Sequence, residues 1–372
     1  MTLDDFFECL NQQFQSNLPV VAYRAPDAIE VKAFLQDSET LYKTSEFTES
    51  GFVFAPFDNL EDAVLIPLEH SEIITCHFEN TDKITASKIK KASQASDKKD
   101  HIQLVKKGIK AINQQQLRKV VLSRSETIPL LETNPIHTFK QLLQIYPTAF
   151  VYCWFHPKIG LWLGATPETL LKTEGNRLST MALAGTQKYN GTLDVVWKDK
   201  EKEEQQIVTD FIVGSIQSSD NTIEVFNTKT VRAGNLLHLK TSIKINFKPE
   251  TLNLKQLLLT LHPTPAICGF PKDKAKQFIL KNESYKREFY SGFLGELHLK
   301  EKTNRNPRRR NIENSAYSTV KTVSNLYVNL RCMQLKANNA IIYVGGGITK
   351  DSNPEAEWEE TVHKSMVMKS VL

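Results

Sequence analysis

Four glutamates fall in two pairs at helical spacing, a pattern that can hold a hard cation. Glu201 and Glu204 precede Ile207, Val208, Phe211 and Ile212. In a helix, residues 201, 204, 208 and 211 share one face, so the two acids lie in line with an apolar stripe. In a second segment Ser352-Asn353-Pro354 marks a helix start, a capping residue before proline. Glu357, Glu360 and Lys364 then share a face of that helix. Mg²⁺ prefers oxygen ligands and keeps several waters, so one or two carboxylates from each of two facing helices would suffice. Zinc is disfavoured because no HExxH or clustered Cys/His set is present. His363 points off the acidic face and reads as structural or solvent-facing. Taken singly, either glutamate pair is most simply a solvated helix surface.

Other residues suit proton transfer and anion binding. In KVVLSR (119–124) strand alternation puts Lys119, Val121 and Ser123 on one face. A lysine among apolar strand residues is partly desolvated, which lowers its pKa and lets it act as a base; the alternative is a strand-end lysine reaching solvent. Glu168, after Gly164-Ala165-Thr166-Pro167, could begin a helix and favour its dipole. Buried in a cleft instead, it would hold its proton and serve as a general acid. Gly345-Gly346-Gly347 follow the strand-like Ile341-Ile342-Tyr343-Val344, where glycines let backbone approach a ligand or simply make a turn. Arg331 is expected inside a strand over 326–332, suited to a carboxylate or else facing water on an edge.

The elements that must position these groups read as α+β. The chain has 372 residues, 40% apolar and 24% charged, enough for a large core. Further strands are expected at 149–154, 160–165 and 340–344, and helices at about 195–217, 253–261, 272–280 and 354–368. Strands come in hairpin-like runs rather than regular βαβ units, which favours large antiparallel sheets. An amphipathic helix starts from Asp100, with Lys106, Lys107 and Lys110 on its solvated face. Residues 81–100 read as an exposed connector, and 300–315 as a mobile surface loop carrying Arg308, Arg309 and Arg310. No apolar run is long enough to span a bilayer, and the acidic start Met1-Thr2-Leu3-Asp4-Asp5 does not read as a signal peptide. Five scattered cysteines suggest neither disulfides nor a thiolate site, so a reducing cytoplasm fits best. A net charge of +5 is too mild to imply nucleic acid.

From about Lys119 to Lys364 the segments resemble, in order, the chorismate-utilising enzymes. The motifs are KVVLSR, GATPE, ALAGT (182–186), DKExxE (199–204), HPTPAICGFP (262–271), REFYSGF (287–293), LRC, VGGGI and EWEE (357–360). The resemblance implies a single large domain over 1–372, with two packed antiparallel β-sheets and outer helices; residues 1–100 match loosely and 100–372 carry the motifs. It implies Mg²⁺ held directly by Glu204 and Glu360, with Glu201 and Glu357 behind them or holding metal-bound waters. It makes Lys119 the base that activates water and Glu168 the general acid. Arg331, Gly345, Gly347 and Tyr290 match substrate-carboxylate contacts, Lys364 a cation near the metal, and His238, Gly185 and Thr186 the pocket lining. Chorismate is then the small-molecule partner, with no nucleic acid or membrane, and a monomer is expected.

Within the family, Lys119 implies a water nucleophile, since members that use ammonia typically lack the strand lysine. Ala184 stands where aminodeoxychorismate synthases often carry a lysine, and Ala266-Ile267 resemble the pair found in isochorismate synthases. Isomerisation of chorismate to isochorismate is therefore the expected reaction, with salicylate synthase the nearest alternative. A non-catalytic chorismate-binding subunit sits poorly with the presence of both Lys119 and Glu168. A nucleic-acid role resting on Arg308 to Arg310 lacks interleaved aromatics. The destination of the product, whether menaquinone, a siderophore or salicylate, is not written in these residues.

Overall fold

The computed structural model describes residues 1–79, 95–248, 251–303 and 319–372. Largely apolar strands build two large antiparallel sheets, and strands such as Val20–Arg24, Gly51–Ala55 and Ala63–Pro67 are buried on both faces. The first sheet runs, edge to edge, Gly269–Phe270, Lys119–Pro129, Asn339–Ile348, Cys332–Lys336, Gly160–Thr166, Phe150–His156, Val20–Arg24, Glu30–Gln36 and Ser71–His77. The second runs Asn221–Val225, Leu236–Phe247, Arg177–Lys188, Thr169–Glu174, Thr319–Val328, Phe293–Thr303, Gly51–Ala55, Ala63–Pro67 and Tyr42–Thr44, with Lys229–Ala233 also paired to Leu236–Phe247. An aromatic layer including Phe52, Phe54, Trp154, Trp162, Phe289 and Tyr327 fills the space between the sheets. Helices Leu3–Gln15, Pro135–Ile145 and Pro354–Lys369 cover the outer face of the first sheet, and Asp199–Ile216 and Leu254–Leu261 that of the second.

The N-terminal residues, which match the family motifs least, belong to the body of the fold. They supply three strands to each sheet, and Lys32 and Tyr23 bond to the buried Glu296 of the second sheet.

Several boundaries differ from expectation. The helix placed from Asp100 begins at Ala95, inside the connector expected at 81–100; residues 81–94 of that connector lie outside the described residues. Lys106, Lys107 and Lys110 are exposed, as expected of a solvated face. The loop expected from residue 300 instead begins inside a strand pair whose register runs to Thr303 opposite Thr319. Arg308, Arg309 and Arg310 fall outside the described residues. No described helix is long and apolar enough to cross a membrane.

Candidate active site

The reactive residues meet where the Lys119–Pro129 and Asn339–Ile348 strands of the first sheet face the second sheet and helices Asp199–Ile216 and Pro354–Lys369. They line one concave cleft between these elements. Lys119, Glu168, Glu204, Glu360, Arg331, Gly345, Gly347, Tyr290, Lys364, His238, Gly185 and Thr186 all reach its wall. Glu201 and Glu357 stand behind it.

Lys119 is 1% exposed. Its strand is clamped on one side by Gly269, where a Cβ would lie 2.3 Å from the Lys119 carbonyl oxygen. Only a glycine permits that approach, and its φ of +131° suits the same residue. Burial lowers the Lys119 pKa, opposed by Glu204, whose Oε2 is 3.9 Å away. Glu168 does not begin a helix: it sits in the sharp connection between strands Gly160–Thr166 and Thr169–Glu174. Buried to 4% exposure, its carboxyl is pushed up to about 8, with Lys119, Arg331 and Lys364 pulling the other way. The cleft therefore presents an amine biased toward its neutral form and a carboxyl biased toward its protonated form.

The three glycines are not a turn. Gly345, Gly346 and Gly347 continue the strand Asn339–Ile348, paired opposite Ser123, Leu122 and Val121. Their lack of side chains makes room: a Cβ on Gly346 would lie 3.4 Å from Glu357 Oε2 and 3.6 Å from Glu360 Oε1, and one on Gly347 would lie 3.0 Å from both Glu204 Oε2 and Lys119 Cε. This backbone is the floor over which the acids of two helices converge.

Arg331 is not inside a strand either. It occupies the junction between Thr319–Val328 and Cys332–Lys336 with φ of +49°, a conformation costly for a side-chain-bearing residue. That turn swings the guanidinium into the cleft, where Nη2 donates to His238 Nε2 at 3.0 Å. Arginine can only donate, so His238 Nε2 accepts and Nδ1–H donates to the Gly185 carbonyl at 2.8 Å. Burial and the neighbouring Arg331 lower the His238 pKa to about 3, which keeps the ring neutral. Gly185, with φ of +70°, places its carbonyl for that bond and abuts Glu201.

At the acidic end, Lys364 Nζ bonds Glu360 Oε1 at 2.7 Å and the Gly345 carbonyl at 3.0 Å. Burial would raise the Glu360 pKa, but the Lys364 ammonium, which also hydrogen-bonds it, and Lys200 together outweigh burial and the carboxyl is held low. Burial raises Glu204 and Glu357, against Lys119 and Lys200 for the first and Lys200 for the second. Lys200 pairs with Glu357 and lies 3.8 Å from Glu204 Oε1. Among the described residues no three potential ligands are drawn together into a ready metal cluster. Yet Glu201 Oε2 and Glu357 Oε2 are buried without a hydrogen-bond partner, a costly state that a cation or its waters would relieve. An all-oxygen, loosely spaced donor set of this kind fits Mg²⁺ with retained waters.

Sequence reasoning missed Lys200, although its four-residue spacing to Glu204 was a signal. It also missed the buried pair Arg287–Glu283. Glu283 accepts from the Ser123 amide and hydroxyl, while Arg287 donates to the Val121 and Ile267 carbonyls. This bracket holds the Lys119 strand against the Ala266-Ile267 wall of the cleft. His363 is exposed.

Models described as chorismate binding enzyme match residues 50–304 and 316–370. The chain belongs to the chorismate-binding enzyme family. Among relatives, isochorismate synthase MenF of Escherichia coli (strain K12) is 27% identical over 289 residues, 74% of this chain and 61% of that protein. Isochorismate synthase DhbC of Bacillus subtilis (strain 168) is 25% identical over 337 residues, 84% of this chain and 78% of the relative. Anthranilate synthase component 1 of Lactococcus lactis is 28% identical over 273 residues, 70% of this chain and 54% of that protein. Against the first of these the chain spans less than two thirds of the relative's length. Solved structures share the fold: DhbC from Bacillus anthracis superposes with a TM-score of 0.77 at 20% identity over 97% of this chain and 98% of that one. The menaquinone-specific MenF from Escherichia coli gives 0.73 at 21% identity, covering 95% and 88%. The α+β architecture with two large antiparallel sheets is therefore the family's own.

Proposed function

We propose that this family member is an isochorismate synthase, an isomerase that converts chorismate to isochorismate with Mg²⁺ bound at the acidic end of the cleft. The observation that carries the reading is the pairing, in one cleft, of a buried Lys119 with lowered pKa and a buried Glu168 with raised pKa. Displacement of a ring hydroxyl by water needs a base and an acid together. Lys119 Nζ takes a proton from water as its oxygen bonds to ring carbon C2. Glu168 gives its proton to the C4 hydroxyl, which leaves as water while the ring double bonds shift. One water enters and one leaves, so the net change is isomerisation, and both groups are reset by proton exchange with solvent. Each transfer contributes on the order of 10²–10⁴ in rate.

Glu204 and Glu360 would hold the metal directly, and Glu201 and Glu357 would hold its waters. The bound ion supplies positive charge for a substrate carboxylate. Arg331 matches that need at the other end of the cleft: its guanidinium can grip a carboxylate through the N–H groups that His238 leaves free. Tyr290 and the exposed backbone of Gly345 and Gly347 complete the binding surface. Purified protein with chorismate and MgCl₂ is expected to yield isochorismate, identified by chromatography and by its conversion when a pyruvate-eliminating lyase is added. Chelation by EDTA is expected to stop turnover. Release of salicylate and pyruvate without the lyase would replace this reading with salicylate synthase, and an aminated product with an ammonia-using member.

A further inference from the structure

A second cavity adjoins the cleft and shares Pro167, Leu183, His238 and Arg331 with it. The hydrogen-bonded Arg331–His238 pair is thus a partition between two chambers. The second chamber, lined in part by the exposed Thr148 and Arg232, contains Arg232 and Lys240 in addition to Arg331, and its described lining has no aspartate or glutamate. Among the described residues neither Lys240 nor Arg232 has an ion-pair partner. Arg232 bonds its own turn through the Gly234 carbonyl at 2.8 Å and lies over the Tyr189 ring at 4.0 Å. Lys240 stands directly opposite Lys229 on the neighbouring strand. Like charges in that register repel, a cost that a passing anion would relieve.

The two ends of the site differ in charge. Glu201, Glu204, Glu357 and Glu360 gather at one end, where Lys119, Lys200 and Lys364 offset part of their charge, and Arg331, Arg232 and Lys240 gather at the other. The carboxylates would draw a divalent cation to the first, whereas a small dicarboxylate meets positive charge without a neighbouring carboxylate in the second chamber.

We propose that the second cavity is the entrance for the anionic substrate, a cationic antechamber from which a small dicarboxylate passes the Arg331–His238 partition into the cleft. This rests on the chorismate reading given above. The test uses the full chain carrying Lys119→Ala, so that binding is not followed by turnover. Chorismate association is followed by stopped-flow tryptophan fluorescence; Trp162 stacks on Tyr343, a cleft residue, at a centroid distance of 5.3 Å. Adding Lys240→Glu is expected to slow association about tenfold at low ionic strength, with the difference closing as salt rises. Ala233→Trp, on the partly exposed edge strand, obstructs the chamber without changing charge. It is expected to slow association and dissociation by the same factor and leave Kd unchanged, because it acts only in transit. Lys240→Gln replaces the charge reversal if that variant folds poorly. Association rates unchanged in both the charge and the steric variant, with normal affinity in the parent, overturn the entrance alone, including the case where the cavity binds a separate effector. No chorismate binding in the parent protein overturns the functional reading and takes this proposal with it.

Discussion

Glu168→Gln separates the catalytic and structural consequences of burying an acid. In the unfolded chain the carboxyl titrates near 4.5, and in the folded protein at about 8. Between those values the unfolded state has released a proton that the folded state keeps, so stability falls as pH rises, by about 1.4 kcal/mol per pH unit. The contribution is complete below the unfolded value and is lost as pH climbs through the folded one. Over the interval the loss sums to about 5 kcal/mol, an upper figure for a side chain only 4% exposed. Glutamine has nearly the same shape and does not titrate, so other ionising groups largely cancel in the comparison. The variant is therefore expected to match the wild type near pH 4.5, to gain steadily with pH, and to reach a constant advantage above pH 8. Denaturant or thermal unfolding at pH 5, 6, 7 and 8.5 reads the gap directly. At roughly 2 °C per kcal/mol for a chain of this size, the melting advantage should grow by about 10 °C. The same variant should lose chorismate turnover by about 10²–10⁴, because an amide cannot deliver the proton. A stability gap that does not change between pH 5 and 8.5 would refute the burial argument, and with it the reason for assigning Glu168 the acid role.

Other expectations concern the amine, the glycine floor and the partition. Lys119→Ala should lower kcat by about 10²–10⁴ in a steady-state chorismate assay, and Lys119→Arg should not restore it, because a guanidinium stays charged and cannot act as a base. The wild-type activity profile should fall on the alkaline side as Glu168 loses its proton near pH 8, and Glu168→Gln should abolish that limb. Gly347→Ala should impair both metal response and turnover while leaving circular dichroism unchanged, since its Cβ would press on Glu204 Oε2 and Lys119 Cε at 3.0 Å. Arg331→Lys should raise KM by about tenfold or more, through loss of the planar fork that can grip a carboxylate and bond His238 together.

Much of this arrangement was legible along the chain because it rests on local periodicity. Helical spacing put Glu204 in line with Val208, and both are buried on the inner face of Asp199–Ile216. Strand alternation put Lys119, Val121 and Ser123 on one side, and the structure keeps Lys119 and Val121 on the cleft with Ser123 tied to Glu283. Asn353 caps its helix by accepting from the Ala356 amide at 2.9 Å, as the Asn-Pro signal implied. Such features depend on neighbours within a turn or two, and the residue types record them.

Tertiary structure decided what periodicity cannot express. Whether Glu168 begins a helix or plugs a cleft depends on the second sheet packed over it, and that packing supplies the burial which holds its proton. Arg331 reads as a strand residue by its neighbours Val328 and Cys332, yet a left-handed turn aims it at His238, 93 positions away in sequence. The glycine run reads as a turn by composition, but pairing with the Lys119–Pro129 strand carries it on in the sheet, where its missing side chains make space for acids from distant helices. Lys200, its pKa raised as Glu357 and Glu204 outweigh the effect of burial, acquires its role only when two helices far apart in sequence come together. The physical division is one of range. Backbone propensity and face assignment are set by adjacent residues, whereas desolvation and charge pairing are set by whatever the fold brings alongside.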